Sequence, residues 1–387
     1  MSSDRLDSAE LQQLVRRVFV PRPDEASLAL LVDLPDAALP DNPEWAARRA
    51  MAAEWAAMLT AARASLGMGT TLYAYRNVRT NNADLPATLV PVAPDALPAH
   101  ADALDTGAAE PTSEALARQA LVLAPTELST TAPLKLLSRT LGFRAGTMPG
   151  FAASMVPALR LDYAEVRRRV RRLAGLLDRA DRAELEFVVD GRDAHALALD
   201  LRHRTAHASD GVIDTPGTAG NVPSGEAYIV PYEGERPGDP SRTAGTLPVQ
   251  FGGEIVCFHI QANRAVRVSG EGAAAAEHAA WLEREPAYGN LAELGLGVLA
   301  DLGVKPVGEI LLDEKLGLHV AFGRSDHFGG QVGAQHFSRP DAVVHIDRVY
   351  LPELQPRIVV RAVDLVLAGD ERLPLMRDSR YVDGVFA

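Results

Sequence analysis

The stretch DAVVHIDRVY, residues 341–350, sets His345 and Asp347 on either side of a single isoleucine in a β-rich run. Successive side chains of a strand point to opposite faces, so Val344, Ile346 and Arg348 take one face while His345 and Asp347 share the other. An imidazole and a carboxylate on one surface form either a solvated polar pair on an edge strand or two ligands reaching toward a common cation. The tripeptide alone fits both, and the rest of the chain has to decide.

With 387 residues the chain suits two domains, each able to bury a core of ordinary size. Hydrophobic residues make up 47% and charged residues 23%, proportions that point to neither a disordered nor a membrane class. No apolar run reaches membrane-spanning length, and the opening MSSDRLDSAELQQLVRRVFV lacks the charged-then-apolar order of a signal peptide, so a cytoplasmic protein without a membrane partner is expected. The net charge of -12 argues against nucleic acid, whose affinity rests on Lys and Arg neutralising phosphates. One basic run, RRRVRRLAGLLDR from Arg167, reads as the solvated side of an amphipathic helix, because Val166, Val170, Leu173, Leu176 and Leu177 recur at helical spacing. The single Cys257 excludes an internal disulfide and a multi-cysteine metal site, and reads as a small core residue.

The fold class expected is α/β (α+β), with a change of character near residue 185. Residues 1–185 form a helix-rich α/β domain: SAELQQLVRRVF, NPEWAARRAMAAEWAAMLTAARASLG, TSEALARQALVLA and DYAEVRRRVRRLAGLLDRA have helical periodicity, with β-like TTLYAYR and ATLVPV between them. Within it, MGTTLYAYRNVRTNN reads as a polar strand and loop without a chemical assignment. Residues 186–387 form a β-dominated domain of short segments such as ALALDLR, TLPVQFGG, EIVCFHIQ, LHVAFG and RIVVRAVDLVLAGD. Helices are expected there at AAAAEHAAWLERE and LAELGLGVLADLG.

Ligand-type residues gather in this second domain. His319, His327, His336 and His345, four of the ten histidines, lie in one short segment with Asp313, Glu314, Asp326, Asp341 and Asp347. Imidazole and carboxylate without cysteine suit enzyme sites for Zn, Mn, Co or Fe. Two more carboxylates stand upstream. Glu226, in GNVPSGEAYIVP, follows a turn set by Pro223 and Gly225 and sits at a strand entrance. Glu293, in YGNLAELGLG, lies three residues after Asn290, a helix-capping spacing that is structural or functional. Neither G-x-S-x-G, a phosphate loop nor H-E-x-x-H occurs.

The segments NVPSGEAYIVP, GNLAELGLG, LLDEKLGLHVAFG, GG and VVHID, in this order and spacing, resemble the aminopeptidase T group of metallopeptidases, the thermophilic metalloprotease family. The resemblance spans the second domain. It implies a two-metal site in which Glu226, Glu293, His319, His345 and Asp347 bind divalent ions, Zn, Co or Mn. The family's tyrosine ligand, seven residues after the first histidine, is replaced here by Asp326, a further metal-ligand candidate that alters the charge on the ions. The activity implied is hydrolysis of an N-terminal or small-substrate amide bond of a peptide or small molecule by a metal-activated water, in a homodimer. Glu226 is the candidate proton shuttle and His327 a second, set against a plain surface histidine in a Gly-rich loop. A related branch, the 2,5-dihydroxypyridine dioxygenases, supplies the alternative: a single Fe(II) on His319, His345 and Asp347. A non-catalytic scaffold is the third reading.

Overall fold

In the computed structural model, which describes residues 4–387, the chain is of the α/β class and divides into two units. One comprises Met1–Ala164 and Gly211–Ser224; the other comprises Glu165–Asp210 and Gly225–Ala387. This differs from a single cut at 185 for two reasons. The helix Tyr163–Leu177 begins where the second unit begins, and the segment 211–224 returns to the first unit, where Ala219–Asn221 adds as a parallel strand beside Arg144–Thr147.

The first unit is built on a seven-stranded sheet whose inner strands run parallel. Its Ser27–Leu34 strand, SLALLVDL, is buried from Leu28 onward, the continuous apolar reading that a parallel strand covered on both faces requires. The helix Ser8–Phe19 starts on a reciprocal cap between Asp7 and Glu10 and buries Leu11, Leu14, Val15, Val18 and Phe19. TSEALARQALVLA, expected as one helix, divides into the helix Thr112–Ala117 and the buried strand Leu121–Ala124, where Leu-Val-Leu favours the sheet. The polar loop after Gly69–Arg76 is a clamp: Arg79 pairs with Asp36, Asn81 Oδ1 accepts from Ser129 N at 2.8 Å, and Asn82 Oδ1 accepts from Ala132 N at 3.0 Å.

The second unit carries an eight-stranded and a five-stranded antiparallel sheet. The arginine-rich helix Tyr163–Leu177 buries Val166, Val170, Leu173, Leu176 and Leu177 as its periodicity predicts. Its arginines tie down neighbouring chain: Arg169 reaches Asp301 at 2.8 Å, Arg167 and Arg171 reach Asp210 at 3.3 Å, and Arg172 donates to Val385 O at 3.3 Å. AAAAEHAAWLERE forms the helix Ala273–Arg284. LAELGLG does not form one. Leu291–Gly297 is a fully buried strand, and Asn290, instead of capping, donates from Nδ2 to Glu233 Oε1 at 2.8 Å and to Gly323 O at 3.0 Å. Gly295 and Gly297 weaken a helix there, and both approach neighbouring groups too closely for a side chain. Cys257 is half-buried on the strand Glu254–Gln261 rather than enclosed in the core. Among the described residues no helix is long and apolar enough to cross a membrane.

Candidate metal centre

The five-stranded sheet sets out one continuous side-chain surface. Its strands lie in the order His345–Val349, Leu318–Gly323, Leu291–Gly297, Glu226–Ile229 and His207–Ser209. Asp347 pairs with Ala321 and Ala321 with Glu293; His319 pairs with Gly295, Gly295 with Tyr228, and Tyr228 with His207; Gly297 pairs with Glu226, and Gly323 with His345. Directly paired residues share a face, as do residues two apart on one strand. Glu226, Glu293, His319, His345 and Asp347 therefore all emerge on one side. A bulge between Leu291 and Glu293 turns Leu291 to the opposite face with Phe322 and leaves Glu293 among the ligands.

Small residues separate these five. A methyl placed on Gly295 would lie 1.9 Å from His319 Nε2, and one on Gly297 would lie 2.2 Å from the carbonyl carbon of Lys315. The glycines of GLG thus clear the space into which the imidazole and the Lys315 turn fit.

Glu293 stands at the middle, its carboxylate shared between two histidines. Its Oε1 lies 3.3 Å from His319 Nε2 and its Oε2 lies 3.3 Å from His345 Nε2. Glu226 Oε2 is 3.4 Å from His319 Nε2, and Asp347 Oδ1 is 3.6 Å from His345 Nε2. Two metal-type triads result, Glu226–Glu293–His319 and Glu293–His345–Asp347, each with ligand atoms within 4.8 Å of one another. The first is buried throughout; the second is half-open at His345 and Asp347.

The donor set fits divalent ions on three observations. Each triad holds one buried carboxylate oxygen without a hydrogen-bond partner, Glu226 Oε2 in one and Asp347 Oδ1 in the other, and orphaned buried oxygens are rare in folded proteins. Each imidazole turns Nδ1 toward a backbone carbonyl, His345 to Arg324 O at 2.8 Å and His319 to Gly317 O at 3.3 Å, leaving Nε2 for a cation. Imidazole with carboxylate suits Zn, Co, Mn or Fe(II) rather than Ca, at bond lengths of roughly 2.0–2.2 Å for zinc.

The electrostatics are those of a crowded acidic site. Burial raises the pKa of Glu226, with Lys315 and His319 opposing it. Burial acts the same way on Glu293, but hydrogen bonds from His319 and His345 win and hold it below the usual carboxylate range. Burial pushes Glu314 up to about 8. His319 is lifted to about 9 because its contacts with Glu293 and Glu226 outweigh burial, and His345 rises on the charge of Asp347.

Sequence reasoning missed Lys315. It is 2% exposed, its Nζ lies 2.5 Å from Glu226 Oε1, and it also contacts Glu314. A signal existed, since only Lys135, Lys305 and Lys315 among 39 basic residues are lysines. Tyr228 was missed too; it shares the ligand face and stacks with His207 at 5.0 Å between ring centroids.

Asp326 and His327 lie outside both triads. Asp326 is bound by Arg324 Nε at 2.6 Å and stands 3.5 Å from His327 Nδ1; burial would raise its pKa, but Arg324 lowers it. His327 packs 5.4 Å from the ring of His345, and loss of water together with the His345 charge lowers it to about 4. Asp313 is structural, accepting from Val307 N and Gly308 N at 2.9 Å, and His336 closes a local turn on Gly333. The Asp341 side chain lies outside the described residues.

Fold and site together define a carboxylate–histidine centre mounted on an antiparallel sheet. No family model and no curated protein matches the chain. The solved structures that share its fold include these two. One is 2,5-dihydroxypyridine dioxygenase from Pseudomonas putida KT2440, 15% identical, with a TM-score of 0.62 over 98% of each chain. The other is wild-type AmpT from Thermus thermophilus, 15% identical, with a TM-score of 0.54 over 97% of this chain and 99% of that one. At this identity the likeness establishes a common fold.

Proposed function

We propose that this chain is a metal-dependent hydrolase of the aminopeptidase T kind, cleaving an N-terminal or small-substrate amide. The observation that carries this reading is the Glu293 carboxylate shared between two triads, each with an orphaned oxygen. A carboxylate bridging two adjacent positions is an arrangement suited to a two-ion hydrolase rather than to an isolated ion. The sequence motifs resembling aminopeptidase T, and the fold shared with AmpT, support it.

When bound, ions of the Zn, Co or Mn class polarise a scissile carbonyl and acidify a water. The half-open Glu293–His345–Asp347 triad is where a substrate gains access, because catalytic sites keep a ligand position open. Glu226 is enclosed and its Oε1 is held by Lys315, so in this reading it acts as a ligand through Oε2. Proton transfer then falls to His327, 38% exposed at the side chain, adjacent to His345 and neutral at pH 7.

The test is to strip the chain with chelator, reload it with Zn, Co or Mn, and assay aminoacyl amides. Turnover that returns with metal and disappears in Glu293→Gln is expected; no amide turnover with any ion sinks the proposal. The Fe(II) ring-cleaving reading is kept alive by the fold shared with the dioxygenase, and oxygen uptake on hydroxylated pyridines by the iron-loaded chain distinguishes it.

A further inference from the structure

We infer that the Lys315 ammonium is a built-in cation of the centre. It leaves one divalent ion tightly held on Glu293, His345 and Asp347, and one weak, exchangeable position on Glu226, Glu293 and His319. The inference rests on the metal-binding reading above and adds an order of affinity to it.

Lys315 is fixed from both ends. Its carbonyl accepts from Leu299 N at 2.9 Å, and its backbone lies so close to Gly297 that a methyl there would meet the carbonyl carbon at 2.2 Å. Its Nζ is held between Glu226 Oε1 and Glu314. Glu226 therefore offers an ion a single oxygen, Oε2, while a full positive charge sits on the other arm of the same carboxylate. Glu293 and Asp347 differ: among the described residues their ion pairs are with His319 and His345 only.

Charge counting points the same way. The cluster holds four carboxylates, Glu226, Glu293, Glu314 and Asp347, and one ammonium. Even with all four carboxylates ionised, two divalent ions would balance them alone, so with Lys315 present they overshoot by at least one positive charge, and in a buried site screening is weak. The residue type fits as well. In a chain that uses arginine almost throughout, a compact ammonium has been placed where a planar guanidinium fork would need more room.

The experiment is a Zn²⁺ titration of the chelator-stripped full chain by calorimetry, with metal content measured after gel filtration. The wild type is expected to keep one ion per chain and to bind a second at least about tenfold more weakly, whereas Lys315→Met keeps two. Lys315→Met leaves Glu226 and Glu314 facing each other, so the double variant Glu314→Gln/Lys315→Met, which removes opposite charges together, is measured beside it with the same expectation. Asp347→Asn should lose the tight ion, and Glu226→Gln should retain it. Two ions of equal affinity in the wild type, or a second ion weakened by removing the lysine, overturn the inference and leave the metal centre standing. A wild type that binds no ion overturns both.

Discussion

Gly295→Ala is the sharpest single perturbation of the site, because one methyl is enough. Its Cβ would lie 1.9 Å from His319 Nε2 and 2.1 Å from Cε1, against an ordinary contact of roughly 3.5 Å. The ring must retreat by about 1.5 Å, many times the tolerance of about 0.2 Å in a metal–ligand bond. Overpacking of this kind costs about 1–3 kcal/mol. Parting the imidazole from Glu293 and Glu226, with both carboxylates 4% exposed, adds the penalty of unpairing buried charge, about 3–5 kcal/mol when a partner is removed outright. The metal-free variant should therefore lose at least about 3 kcal/mol in urea unfolding, and the chain should lose the ion position nearest Glu226. The control is a cycle with His319→Ala. Once the ring is gone the new methyl has space, so Gly295→Ala should cost little in that background, giving a coupling of about 3 kcal/mol. If Gly295→Ala lies within about 0.5 kcal/mol of wild type, or costs the same in both backgrounds, the glycine is not what seats His319.

Other expectations concern pH, ligands and the first unit. His319, lifted from 6.5 to about 9, contributes about 3 kcal/mol to the metal-free chain; this is fully present below pH 6.5 and lost as pH rises through about 9. Glu314, raised from 4.5 to about 8, binds its proton more tightly folded than unfolded, so it too lowers stability as pH rises, between 4.5 and about 8. Chemical unfolding in chelator from pH 6 to 10 should show this decline, and zinc should flatten it; a rise refutes the assignment. Glu293→Gln, by removing the shared ligand, should weaken zinc binding more than about a hundredfold, read by metal content. His327→Ala should lower kcat by about a hundredfold with metal content unchanged, and loss of metal instead would make it a ligand. Asp33→Ala should cost about 3 kcal/mol without touching metal content, because Asp33 accepts from Glu127 N at 2.8 Å, Leu128 N at 2.9 Å and Trp45 Nε1 at 3.1 Å.

Local periodicity made much of the fold legible. The alternation in VVHIDRV predicts a strand with His345 and Asp347 on one face, and the arginine-rich helix buries the apolar positions its spacing names. What periodicity does not carry is partnership between distant segments. LAELGLG reads as a capped helix because Asn290 and Glu293 have the right spacing, yet its glycines meet His319 and Lys315, residues some twenty positions on, a reason visible only when the strands are paired. The chain's return to the first unit at 211–224 is equally non-local. In the site, five ligand-type residues read from motifs converge, whereas Asp326, predicted from its place in the resemblance, is taken by Arg324 two residues before it. Lys315 carries no motif; its importance comes from burial between two carboxylates.

The candidate ligands stand on neighbouring strands in register, with glycine and alanine between them. A frame whose hydrogen bonds set the spacing before any ion arrives behaves like a pegboard: exchanging one peg, carboxylate for imidazole or lysine for an apolar residue, alters what is bound while the board keeps its shape. Chemistry can diverge on such a support with few substitutions, because a fold does not by itself dictate the reaction. The same frame makes slippage unforgiving, since a one-residue shift of the last strand would turn His345 and Asp347 away together and silence both at once.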